Sequence, residues 1–79
     1  MSEPSFVVRL LHAWNDDPLM ADMMRGRRLL AQQGEFGLIV SWTDGASLRL
    51  YTMPYQKAKE EGWSDMLTDL MELLDKRTN

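Results

Sequence analysis

With one histidine, His12, and no cysteine in 79 residues, the chain has few ways to do chemistry. Covalent catalysis needs a nucleophile with a base beside it, and zinc prefers imidazole and thiolate ligands. Any site would have to be built mostly from carboxylates. The acids of the C-terminal stretch, Asp65, Asp69, Glu72 and Asp75, line the polar side of an amphipathic helix. They read as solubilising charge and not as a general acid and base. His12 falls on the polar side of the first helical segment beside Arg9 and reads as a surface residue. The glycines at 26, 34, 37, 45 and 62 are scattered, and no phosphate or dinucleotide loop can be written through them. The expectation is no enzyme, no cofactor and no metal.

The one group suited to phosphate is Arg25, Arg27 and Arg28 with Arg49. Helix, turn, helix, hairpin is also the order of a winged helix, with Thr43 to Ala46 as the wing tip. Charge argues against it. Residues 1–34 balance to zero, 35–53 sum to −1 and 54–79 to −2, for a net −3. Nucleic-acid binders are usually basic as domains. Nucleic acid is therefore the lesser alternative, with Arg25 and Arg28 as its ridge.

Seven methionines in 79 residues are unusual. Flexible thioethers fill irregular cores and also line adaptable binding surfaces. Aromatic residues and arginine are enriched at interfaces. Trp42, Arg49, Tyr51 and Tyr55, with Arg25 and Arg28, are thus the candidate partner-binding residues. Alanine at Trp42 or Tyr51 should weaken binding and leave the fold intact.

Those residues need elements to position them. EFGLIVSWTDGASLRLYTM, residues 35–53, is two apolar runs meeting at Asp44-Gly45, a strong hairpin signal because a type I′ turn needs two residues at positive φ. A two-residue turn pairs Trp42 with Ser47, Val40 with Arg49, Leu38 with Tyr51 and Phe36 with Met53. The other face carries Ile39, Ser41, Leu48 and Leu50. Both faces are apolar, so one should meet helices and the other something else. The outward face is expected to be the one with Trp42, Arg49 and Tyr51.

Ser5 to Trp14 fits a helix with Phe6, Leu10, Ala13 and Trp14 on one stripe, with a strand at 5–11 as the alternative. Asp17-Pro18 starts a second helix, expected to run to about Gln33 and stop at Gly34. Its stripe is Leu19, Met23, Gly26 and Leu30, with Gly26 allowing close backbone approach. Pro54 opens a short turn of helix ended by Gly62. Ser64 then caps the last helix, to about Lys76, with Trp63, Met66, Leu67, Leu70, Met71, Leu73 and Leu74 as its apolar arc. The last few residues should fray.

The predicted fold is α+β, one domain over 1–79 in order α-α-β-β-α, the hairpin packed on helices. MSEPSFVVRLL lacks a signal-peptide pattern, and no stretch approaches the roughly 20 apolar residues of a membrane span. The expected protein is cytoplasmic, makes no membrane contact and binds another protein. It is expected to form a homodimer, by edge-to-edge pairing of two hairpins into four strands or by packing of the last helices. A purely structural role in a larger assembly is the remaining alternative.

Overall fold

A computed structural model of the chain describes residues 3–76. The elements are α1 (Pro4–Trp14), α2 (Pro18–Met24), β1 (Leu30–Gln33), β2 (Gly37–Asp44), β3 (Ser47–Pro54), α3 (Tyr55–Glu61) and α4 (Trp63–Asp75). The fold is α+β: an antiparallel sheet in order β1-β2-β3, with the helices against one face. The expected fraying of the last few residues concerns 77–79, which lie outside the described residues.

Residues 5–14 are helix and not strand. Its buried ridge is Val7 and Leu11, one position on from the expected stripe, and Phe6 stays 47% exposed. With apolar residues at 6, 7, 8, 10, 11, 13 and 14, two neighbouring stripes were nearly equivalent. Contact with the sheet chose between them.

The largest departure follows α2. Asp17 caps it as expected, its carboxylate accepting the N–H groups of Leu19 and Met20. The helix then stops at Met24 instead of continuing to Gln33. Arg25 (φ 56°) and Gly26 (φ 82°) are both left-handed, which ends the α-helical ladder. Gly26 is needed for that conformation, not for close approach, since a Cβ there would meet nothing within 4 Å. The buried side is Met20 and Met24, while Leu19 and Leu30 are 83% and 50% exposed. Arg27 to Gln33 are good helix formers, yet Leu30 to Gln33 form β1, paired Leu30 with Ser41 through Gln33 with Leu38. Burial of Leu29 and Ala31 and the ladder with β2 outweigh propensity.

β2 and β3 form the expected hairpin, but the turn lies one step on and only one of its two residues is at positive φ, so it is not the expected type I′ turn. Gly45 (φ 65°) and Ala46 are the loop, and Asp44 pairs with Ser47. Trp42 therefore faces Arg49, Val40 faces Tyr51 and Leu38 faces Met53. The slide moves each partner two places along β3, so every residue keeps its face. At the other end, the turn from Gly34 to Gly37 is tight: Gly34 N–H donates to the Gly37 carbonyl at 2.8 Å. A Cβ on Gly37 would sit 2.3 Å from the Met53 oxygen, so only glycine fits between the strands.

Pro54 precedes α3, and Gly62 (φ 98°) separates it from α4. Gly62, not Ser64, is the N-cap of α4, and no side chain caps it. Ser64 lies inside the first turn, where its carbonyl accepts the Thr68 hydroxyl at 2.9 Å. α4 buries Met66, Leu70 and Leu74 against Val7, Leu11, Leu38, Val40, Trp42 and Met53 in one core. Met20, Met24, Met53 and Met66 belong to that core, and Met23 and Met71 pack at its margin. These six methionines are core filler and leave the open apolar surface to other residues.

Candidate functional site

Strand register sorts the sheet into two faces. Ala31, Leu38, Val40, Trp42 and Met53 point inward and are buried. Leu30, Gln32, Gly37, Ile39, Ser41, Thr43, Leu48, Leu50, Thr52 and Pro54 make up the outward face. Not one of these outward residues is charged, in a chain that is 27% charged. Leu30, Ile39, Leu48 and Leu50 are 50%, 37%, 67% and 63% exposed. A one-sided antiparallel sheet normally turns a polar face to water. Contiguous exposed aliphatic residues on such a face mark an interaction surface.

The expected orientation of the hairpin is inverted. Trp42 is only 5% exposed and lies inside, so it cannot anchor a partner on the surface. Arg49 and Tyr51 share its face but sit on the edge strand, Arg49 exposed and Tyr51 half-buried. Alternation alone could not say which of two apolar faces the helices would cover. The aliphatic set Ile39, Ser41, Leu48 and Leu50 was legible as a face, but not as the open one.

The indole N–H of Trp42 is buried and has no hydrogen-bond partner. Tyr55 fixes a corner instead of standing free. Its hydroxyl donates to the Gly34 carbonyl at 3.0 Å, its N–H to the Phe36 carbonyl at 2.9 Å, and its ring meets Trp63 edge-to-face at 6.4 Å. Tyr55 and Trp63 also wall a groove of about 640 Å³ between α3 and α4, with Ala58, Lys59 and Gly62. Burial, then the nearby carboxylates of Asp69 and Glu61, push the Tyr51 phenol above its ordinary pKa.

The arginines divide. Arg25, at the left-handed end of α2, is exposed, and Arg28 lies in the following loop. Arg28 borders a groove of about 530 Å³ with His12, Asn15 and Asp16. Arg27 is a bracket: its Nε donates to the Met24 carbonyl at 2.6 Å and a terminal nitrogen to the Leu74 carbonyl at 2.7 Å. It thus holds the C-terminal carbonyls of α2 and α4, where a cation suits the helix dipole. Its other terminal nitrogen lies 3.8 Å from Asp44, which also lies 3.9 Å from Arg49. Asp44 therefore offsets two of the four arginines that could have met phosphate.

Two further residues were missed. Asn15 holds Leu29 by both backbone groups, donating to its carbonyl at 3.0 Å and accepting its N–H at 2.8 Å. His12 Nε2 accepts the Ala31 N–H at 3.2 Å. The end of α1 thereby covers the outer edge of β1. Only an amide three residues short of a proline hinted at this. Because β2 already carries β1, joining two hairpins no longer gives a four-stranded sheet. The buried stripe of α4 is likewise spent within the chain.

Among the described residues no helix is long and apolar enough to cross a membrane, and no group of three or more acidic, histidine or cysteine side chains could hold a metal ion. Comparison with protein-family models, curated proteins and solved structures returned no match.

Proposed function

We propose that this chain is a small non-catalytic protein-binding module, acting in the cytoplasm as an adaptor, regulator or inhibitor by occluding a surface. Its binding site is the open sheet face. One observation carries the reading: four aliphatic side chains, each at least 37% exposed, stand on a three-stranded face without a charge. Fully covering an aliphatic side chain is worth about 1.5–3 kcal/mol. An apolar, uncharged patch on another protein surface would collect that gain. Arg49, Tyr51 and Tyr55 lie off this face, so they are rim or structural residues in this reading.

The test is capture by tagged protein, with and without nuclease, comparing the wild type with Leu50→Lys and with the Arg25→Glu/Arg28→Glu double variant. A protein retained through nuclease, kept by the arginine variant and lost by Leu50→Lys, is the expected result. The opposite pattern, with loss on nuclease treatment, would replace this reading with the nucleic-acid alternative.

A further inference from the structure

We propose that His12 is a proton-operated latch on the outer edge of β1: the neutral imidazole holds that edge closed, and protonation releases it.

The latch is built from the end of α1. β1 is an edge strand, and the alternate residues Leu29 and Ala31 turn the same backbone edge away from β2 and toward that helix end. Asn15 takes both backbone groups of Leu29, at 2.8 and 3.0 Å, and His12 Nε2 accepts the Ala31 N–H at 3.2 Å. His12 and Asn15 lie about one turn apart, so both side chains leave the helix end on one side. The clasp therefore has a part that cannot titrate, the amide, and a part that can, the imidazole.

A backbone N–H can donate only to a nitrogen that carries a lone pair. The contact thus places the single proton of the neutral ring on Nδ1 and leaves Nε2 bare. A second proton would fill Nε2, and two donors would then face each other across 3.2 Å. The hydrogen bond is lost, and a cation is set against the positive end of the peptide dipole. Imidazole is the side chain whose charge ordinarily changes between about pH 5 and 8, and the chain has only this one.

The surroundings let the ring take up a proton and leave. His12 is exposed and borders a groove of about 530 Å³. The charged groups facing it are Asp16, further along the chain in the same groove, Arg28, from the loop leading into β1, and Arg9, one turn back on α1. β1 itself, LAQQ, brings no ionisable side chain. Asp16 offers the displaced imidazolium a carboxylate. The ring can swing into the groove without disturbing the core, to which α1 contributes Val7 and Leu11.

Asn15 keeps its hold on Leu29, so release begins at Ala31, which is 4% exposed, and spreads toward Gln33. β1 is short, has one neighbour in the sheet and is made of residues that favour helix. It is therefore the strand most sensitive to a lost edge contact. Neutral pH keeps closed a strand edge that acid makes available for pairing.

Amide hydrogen exchange of the full chain by NMR, from about pH 8 to about pH 5.5 where carboxylates stay ionised, tests this. After correction for the intrinsic pH dependence of exchange, Ala31 protection should fall with acid, approaching about tenfold per pH unit once the ring is mostly protonated. Gln32 should follow to a smaller extent, and the amides of α4 should not respond. Ring nitrogen shifts at the alkaline end should place the proton on Nδ1. His12→Gln, an acceptor that does not titrate, should keep Ala31 protected across the range, and His12→Lys should leave it open throughout. Circular dichroism checks that each variant folds. If either does not, the wild type still decides, because loss of Ala31 protection must share its midpoint with the imidazole titration. A ring carrying its proton on Nε2 at the alkaline end overturns the latch. So does Ala31 protection that ignores pH, or an acid loss that His12→Gln shares in full. The capture result for Leu50→Lys is unaffected by any of these outcomes.

Discussion

The inner face of the sheet holds Leu38, Val40, Trp42 and Met53 under the helices, while the outer face leaves Leu30, Ile39, Leu48 and Leu50 uncovered. The two faces are similarly apolar and only a few ångströms apart, yet one is core and the other surface. Bulk and polarity separate them. The inner face carries the indole of Trp42, and its ends carry Asp44 and Arg49, which need partners. Arg27 supplies one by reaching Asp44 from the α2–α4 side. The outer face mixes aliphatic groups with Ser41, Thr43 and Thr52, which tolerate water. Apolarity made both faces candidates for burial, and the supply of helices covered one.

The contrast breaks most sharply by truncating equivalent bulk on each side. Trp42→Ala should cost about 3–5 kcal/mol, the range for large-to-small core substitutions. Leu50→Ala, in monomer at low concentration, should stay within about 0.5 kcal/mol, as for open surface sites. Urea unfolding of both variants decides it, and equal losses would mean that the faces have been assigned wrongly. This reverses the sequence-level expectation that Trp42→Ala leaves the fold intact.

Asn15 tests what holds β1 in the inner layer. Asn15→Ala strands both backbone groups of Leu29, a residue 3% exposed. Leaving buried polar groups unpaired costs about 1–3 kcal/mol each, so a loss of about 2–3 kcal/mol is expected. Hydrogen exchange should show the accompanying loss of protection concentrated in residues 29–33 and their partners on β2. A uniform loss along the whole sheet would show that β1 is held by the ladder alone.

Arg27 closes the end of the core near the hairpin turn. Arg27→Met keeps a long apolar stem but removes the donors to Met24, Leu74 and Asp44. Hydrogen bonds from a charged group contribute about 1.5–3 kcal/mol each when well buried. With water able to replace part of this set, a net loss of about 1–2 kcal/mol is expected in thermal unfolding. Arg25→Met and Arg28→Met, made outside the helices and strands, should change little. Equal effects from all three would remove the distinction between bracket and surface arginines.

The smallest effect lies at the rim, where Tyr51 belongs to the inner face but sits on the edge strand. Its folded pKa is raised above 10.0, so the native state keeps the phenolic proton longer than the unfolded chain. The native state then binds more protons than the unfolded one only at alkaline pH. Stability should therefore be unaffected below about pH 10 and fall as pH rises beyond it. Tyr51→Phe should flatten that alkaline decline without altering stability at neutral pH. A decline that persists unchanged would assign it to other groups.

Much of the architecture was legible because its signals are short. Asp17-Pro18 starts α2 within two residues, Gly62 separates α3 from α4, and the stripe Met66, Leu70 and Leu74 fixes the covered side of α4. The hairpin was legible in its faces but not in its exact turn. Gly45 at positive φ suits the first loop position as well as the second; the turn moved one step and each strand partner two places. The candidate site was legible only as an apolar set without a side. The contacts made by Arg27, Asn15 and His12 went unseen because their partners, Leu74, Leu29 and Ala31, lie 47, 14 and 19 residues away.

By itself the sequence determined the α+β class, the hairpin, the helix starts at proline and the break at Gly62. These follow from backbone freedom and periodicity, which a few neighbouring residues set. Tertiary structure alone decided that Leu30 to Gln33 become a strand, despite residues that favour helix. It also decided that Trp42 turns inward and that Leu30, Ile39, Leu48 and Leu50 remain open. Those outcomes depend on which distant groups can pair and which surface the helices can reach, and no local pattern carries that information.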